Sequence, residues 1–91
     1  MRIVRSTSQF RKSLKRVLKS GRFDREEIQN VVDAIAREEL DPKYRDHQLH
    51  GGMRDLRECR IRPDLLLIYK IENNNLVLVL VNIGSHSDLF E

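Results

Sequence analysis

Tryptophan is absent, cysteine occurs once and proline twice, and the longest apolar runs are five and six residues, Leu65–Tyr69 and Leu76–Val81. A single cysteine, Cys59, excludes an internal disulfide and lacks the neighbours of a thiolate metal site, so it reads as a small buried strand residue. Runs of that length fall far short of the ~20 apolar residues a membrane-spanning helix requires. Arg2 and Arg5 are followed by Ser, Thr and Gln rather than an apolar stretch, so no secretory signal is expected and the predicted compartment is the cytoplasm. With 91 residues, 40% apolar and 34% charged, the chain is expected to form one domain over 1–91 with a single modest core, globular rather than disordered. No internal repeat or low-complexity segment interrupts it.

What the chain has is segregated charge. Residues 1–22 hold eight Arg or Lys and no acid; residues 24–41 hold seven acids against two arginines; residues 43–70 hold seven basic residues against four acids. Two basic surfaces flanking an acidic one imply a polyanionic partner, most simply nucleic acid.

Periodicity predicts the elements. Arg2–Arg5 is β-prone, and Ser6 with Gln9 has capping-box spacing. Phe10, Leu14, Val17 and Leu18 then form an apolar helical stripe among Arg11, Lys12, Lys15, Arg16 and Lys19, and Gly21 is the stop. Asp24, with Glu27 three residues on, is the next N-cap, ahead of Ile28, Val31, Val32 and Ile35. Asp41-Pro42 ends that helix. From Asp41 to about Asp55 no period is sustained, and this loop carries His47 and His50. Arg57–Arg62 alternates, with Glu58, Arg60 and Arg62 on one face and Cys59 and Ile61 on the other. Pro63-Asp64 reverses the chain into Leu65–Lys70. Glu72–Asn75 is a second turn, Leu76–Val81 a further strand, and Ser85 caps a helical turn carrying His86, Leu89 and Phe90. The expected fold is α+β, two N-terminal helices on one face of an antiparallel sheet in the order β-α-α-β-β-β with a short C-terminal turn. Its last two strands are apolar on both faces, so the loop and tail, or a partner, must cover the face away from the helices.

Groups able to move protons at neutral pH are His47, His50 and His86, with Asp64 at the turn and Arg60 beside it. RNA cleavage without metal needs a base for the ribose 2′-OH, an acid for the leaving 5′-oxygen and cations for the developing phosphate charge. These residues supply such groups. Each has a plainer reading as a loop or exposed residue, and a zinc site of His47, His50 and His86 finds no Cys or Glu ligand at matching spacing.

Three blocks carry a resemblance: Tyr44–Leu49 (YRDHQL), Arg57–Tyr69 (RECRIRPDLLLIY) and Gly84–Phe90 (GSHSDLF). With helices, loop and sheet in the same order along the chain, they resemble the YafQ family of RelE-superfamily toxins. The resemblance implies a RelE-like fold and a toxin of a type II toxin–antitoxin system. Its implied activity is that of an mRNA interferase, a ribosome-dependent endoribonuclease cutting message in the A site and silenced by a cognate antitoxin. Matching motifs make His47 and His86 the catalytic histidines, Asp64 the acidic catalytic residue, Phe90 the aromatic that stacks on a base, and Arg57 an RNA-binding residue of the same strand. The chain departs from the family at Arg60, where a further histidine is common. Arginine is no general base at pH 7 but suits the stabilisation of a phosphate charge, so Arg60 is expected to act in catalysis in that way. Strict alternation puts Arg57 opposite Arg60, and a bulge or an early strand start would be needed to bring both to RNA. Lys12, Lys15 and Arg16 are expected to contact RNA. Expected partners are the antitoxin, mRNA and the ribosome, with no membrane, metal or small-molecule cofactor. The alternatives are a binding module that occupies the ribosome or antitoxin without cleaving, having lost activity through Arg60, and a small basic DNA-binding protein. The first helix offers Lys and Arg suited to phosphate contact rather than base reading, which disfavours the latter.

Overall fold

A computed structural model describes residues 1–90. Five strands, β1 (Ile3–Ser6), β2 (His47–Gln48), β3 (Arg57–Arg62), β4 (Leu65–Glu72) and β5 (Val77–Gly84), form one sheet in the order β1-β5-β4-β3-β2. Helices α1 (Ser8–Lys19) and α2 (Arg25–Ala36) cover one face, and a short α3 (His86–Phe90) follows β5. No helix among the described residues is long and apolar enough to cross a membrane.

The expected α+β order holds, with two differences of detail. β1 lies parallel to β5, Ile3 opposite Val77 and Ser6 opposite Leu80, so the sheet is mixed at that edge. The segment expected to lack structure contains two 3-10 turns, Pro42–Tyr44 and Gly51–Met53, flanking β2. Two residues are too few for any period to register in the sequence.

Capping chemistry sets the helix starts. Asp24 accepts from the Glu26 N–H as expected, but the cap of α1 is Thr7, which accepts from the Phe10 N–H. Ser6 is unavailable because it is held in β1, paired with Leu80, and Gln9 donates to Ser13 instead. Ser13 is buried while Leu14 and Leu18 are only half-buried, so the stripe of α1 runs through Phe10, Ser13 and Val17. These residues meet Ile28, Val31, Val32 and Ile35 of α2 over Cys59, Ile61, Leu65, Leu67, Tyr69, Leu78, Leu80 and Ile83.

Pro63-Asp64 makes the β3–β4 turn, with an irregularity of register between Arg60 and Arg62. At the β4–β5 turn Asn73, Asn74 and Asn75 all adopt positive φ (53°, 53° and 78°), a conformation asparagine tolerates better than most residues. Leu66 and Ile68 alternate away from the helix-side cluster yet are buried at 2% and 3% exposure, so the chain itself covers the far face of β4. The apolar surface left open lies elsewhere. Met1, Ile3, Val4 and Leu76 remain exposed along the β1 edge.

Candidate active site and nucleic-acid interface

Cross-strand register assembles the site on the sheet face opposite α1 and α2. One row across the sheet reads His47, Glu58, Ile68, Asn82, and the neighbouring row reads Arg60, Leu66, Gly84. With neighbouring strands about 4.8 Å apart, Arg60 and Gly84 stand roughly 10 Å from each other across buried Leu66. His86 and Phe90 follow immediately on α3.

His47 sits on the short edge strand β2, half exposed, and its Nδ1 lies 2.8 Å from the Arg45 carbonyl. A carbonyl only accepts, so Nδ1 carries the hydrogen and the other ring nitrogen is free to take a proton. That nitrogen, Nε2, is 3.9 Å from Glu58 Oε1, and the Glu58 side chain is only 9% exposed. Glu58 belongs with the site, although sequence reasoning gave it no role. Its alternation onto the face of Arg60 was visible; its meeting with His47 depends on the register of β2.

His86 begins α3, which Ser85 and Asp88 cap reciprocally: Ser85 N–H donates to Asp88 Oδ2 and Asp88 N–H to Ser85 Oγ, both at 3.1 Å. The backbone and hydroxyl bonds from Ser85 hold the Asp88 carboxyl below its usual range. The His86 and Phe90 rings, one helical turn apart, lie 5.1 Å between centroids at 41°. Near Gly84 an added Cβ would meet the Asp88 side chain at 3.0 Å, so the chain turns tightly here.

Asp64 lies at the β3–β4 turn, half exposed and ion-paired with Arg22 from beyond α1. It shares a cleft with Arg16, Arg22, Ser85 and Asp88. The structure therefore brings Asp64 to the α3 end of the site, not to His47. Lys12, Lys15 and Arg16 are exposed on α1, in the helix layer; only Arg16 reaches the Asp64 cleft.

Arg57 departs from the expected arrangement. The register irregularity of β3 falls between Arg60 and Arg62, after Arg57, and so leaves it on the helix-side face. There its Nε and Nη2 donate to Asp46 at 3.3 and 2.8 Å, while Tyr69, directly opposite on β4, donates its hydroxyl to the same carboxylate. Burial and the bond to Asp46 push the Tyr69 hydroxyl above its ordinary range, and the Asp46 bond raises Arg57. Arg57 is thus committed to holding Asp46, the residue before His47. Cys59 is fully buried, and burial, followed by the Asp46 and Glu58 charges, pushes its thiol up to about 12, leaving it protonated and inert at neutral pH. His50 precedes the second 3-10 turn, exposed and outside the row that holds His47.

Residues 2–91 match the family described as bacterial toxin of type II toxin–antitoxin system, YafQ. The mRNA interferase toxin YafQ of Escherichia coli K12 is 36% identical over 47 residues, 52% of this chain and 49% of that protein, so the matched stretch spans about half of that relative. A metal-bound toxin from Helicobacter pylori superposes with a TM-score of 0.90 at 46% identity, covering 99% of this chain and 100% of that one. The toxin chain of the E. coli DinJ–YafQ complex superposes with a TM-score of 0.85 at 25% identity, each chain covered in full at 100%. Shared fold and a match over nearly every residue agree with the three motif blocks, and the chain belongs to the YafQ family of type II toxin–antitoxin toxins.

Proposed function

We propose that this chain is the toxin of a type II pair and an endoribonuclease that cuts messenger RNA in the ribosomal A site, acting in the cytoplasm. The observation that carries the reading is the far sheet face, where His47, Glu58 and Arg60 share two adjacent rows and His86 with Phe90 follow the end of β5.

His47 Nε2 takes the proton of the ribose 2′-OH, and Glu58 stabilises the imidazolium that forms. The freed oxygen attacks the adjacent phosphorus in line. The bond to the 5′-oxygen breaks, His86 protonates that oxygen, and the products are a 2′,3′-cyclic phosphate and a 5′-OH. Arg60 holds the charge that grows on the non-bridging oxygens, a task for which a guanidinium fork is suited. Asp64 keeps the acidic role that the motif gives it, with Arg22 as its resting counter-ion. Phe90 offers a face for base stacking. Lys12, Lys15 and Arg16 supply a separate cationic surface for ribosomal RNA.

Two solved relatives from Helicobacter pylori are described as metal-bound, one of them copper-bound. Among the described residues of this chain no three His, Cys, Asp or Glu side chains gather to hold an ion, and no step is assigned to one. Chelation with EDTA, under magnesium-buffered conditions that keep ribosomes intact, is expected to leave the cleavage rate unchanged. Loss of cutting that copper or zinc restores would contradict the side-chain mechanism.

The E. coli relative forms a DinJ–YafQ complex, and the open apolar strip at Met1, Ile3, Val4 and Leu76 gives a cognate antitoxin surface to cover. Binding is expected to raise Tm and abolish cleavage together, as measured by calorimetry and a translation assay. A complex that still cut message would argue against it. Primer extension on a translated message tests the activity itself: new 5′ ends at the A-site codon are expected. A ribosome stall without new ends would instead favour the non-cleaving module, and Arg60→His would then restore cutting.

A further inference from the structure

A groove of about 510 Å3 runs beside the candidate catalytic face along the outer edge of β3. β2 pairs only with Arg57 and Glu58, so β3 has no outer strand partner at Arg60–Arg62, and the Pro42–Tyr44 turn stands across the gap. Lys43, Arg45, Arg60 and Arg62 line it with Tyr44, against a single acid, Glu27. Glu27 is already occupied by Arg62 Nε at 2.7 Å. Among the described residues Lys43, Arg45 and Arg60 have no carboxylate partner.

Two details tie this groove to the chemistry. Arg60 lines the groove and also stands on the face of His47 and Glu58. Arg45 projects from a left-handed backbone position (φ 53°), and its carbonyl fixes the His47 ring. A ligand gripping Arg45 is therefore held at a fixed offset from the candidate base. Lys43 Nζ lies 5.2 Å above the Tyr44 ring, which keeps that ammonium over the groove wall.

We propose that this groove is a second RNA-binding site, a subsite for the sugar–phosphate backbone of the strand adjoining the cleaved linkage. The proposal rests on the endoribonuclease reading above and adds Lys43 and Arg45 as its phosphate contacts. A run of unpaired cations continuous with the reacting centre suits successive phosphates. An acidic peptide is disfavoured because the apolar lining is limited to Tyr44, Pro63 and Ile61, the last of them buried in the core.

The test uses a short single-stranded RNA with 2′-O-methyl riboses, which cannot be cleaved, and fluorescence anisotropy across a salt series. Lys43→Gln combined with Arg45→Asn, asparagine being at ease with the left-handed φ, is expected to weaken binding about tenfold and make the salt dependence shallower by about 1.4 in log–log slope. A neutral methylphosphonate placed in turn on each side of the target linkage should weaken the wild-type chain at one position and leave the double variant indifferent there. That interference pattern on the wild-type chain needs no variant to fold. Groove-dependent RNA binding without ribosomal cleavage would uphold the subsite and sink the enzyme reading. Cleavage with unchanged affinity, slope and interference in the double variant would do the reverse. Binding of a polyglutamate peptide that the substitutions abolish, with RNA binding untouched, would likewise overturn the proposal.

Discussion

Replacing His86 by alanine is expected to lower single-turnover cleavage on programmed ribosomes by about 10²–10⁴-fold, the range typical of a lost general acid. The imidazole is exposed and its ring packs on Phe90, so the fold should be left intact. His47→Ala should cost as much, through the opposite proton. If the two histidines work as a pair, the double variant should lose little more than either single one, because one missing transfer already stops the reaction. His50→Ala should match wild type, and Phe90→Ala should fall between, since a stack of ~1–3 kcal/mol positions a base and moves no proton. A His86→Ala chain that cuts at the wild-type rate would remove the leaving-group acid from the mechanism.

The second large effect is expected at Asp46, which no motif singled out as functional. Its carboxylate receives both the Tyr69 hydroxyl and the Arg57 guanidinium. Asp46→Ala leaves a phenol on a residue only 3% exposed without an acceptor, at about 1–3 kcal/mol. The Arg57 share adds little, because that side chain is 36% exposed and solvent screens it. For a domain of this size such a loss lowers Tm by roughly 5–20 °C. Activity should fall by about 10²-fold as well, since β2 hangs from this point and a misplaced base is costly in rate. Asp46→Ala combined with Tyr69→Phe should recover part of the stability by removing the orphaned donor, but not the rate. Thermal melts and single-turnover rates read the two effects separately. A fully active Asp46→Ala enzyme would show that β2 needs no such anchor.

The parts of the molecule written in short-range chemistry were legible in the sequence. Pro63-Asp64 announces its turn, Asp24 its cap, and the apolar stripe of α2 its packing face, whereas α1 buries Ser13 more deeply than the expected Leu14 and Leu18. The cap of α1 moved by one residue because β1 claims Ser6 for pairing with Leu80, a partner far along the chain. The site divides the same way. His47, Asp64 and His86 were nameable as candidates from motif blocks and Arg60 as the departure within one, but the juxtaposition of Glu58 with His47 depends on a two-residue strand with no period to read. Arg22 meeting Asp64 and Asp46 meeting Tyr69 are tertiary pairs, separated by 42 and 23 positions. Arg57 shows the limit of analogy: the motif supplied an arginine, while alternation, unrelieved until after Arg60, turned it toward Asp46.

The parallel pairing of β1 with β5 has a kinetic consequence. Ile3–Ser6 finds its partners at Val77–Leu80, and the Thr7 hydroxyl donates to the Val81 carbonyl, 74 positions away. Such closure cannot begin on a growing chain until β5 has emerged, and the entropy of joining distant segments makes it slow compared with forming α1 and α2. A nascent chain should therefore hold its two helices early while the β1 strand waits with Ile3 and Val4 uncovered, the state most exposed to aggregation or capture. His86 and Phe90 lie beyond β5, so two residues proposed for the reaction are made only after every strand of the sheet. On the mechanism proposed above, a chain made only as far as β5 lacks His86 and Phe90, so its competence to cut message would arrive after the sheet's last strand.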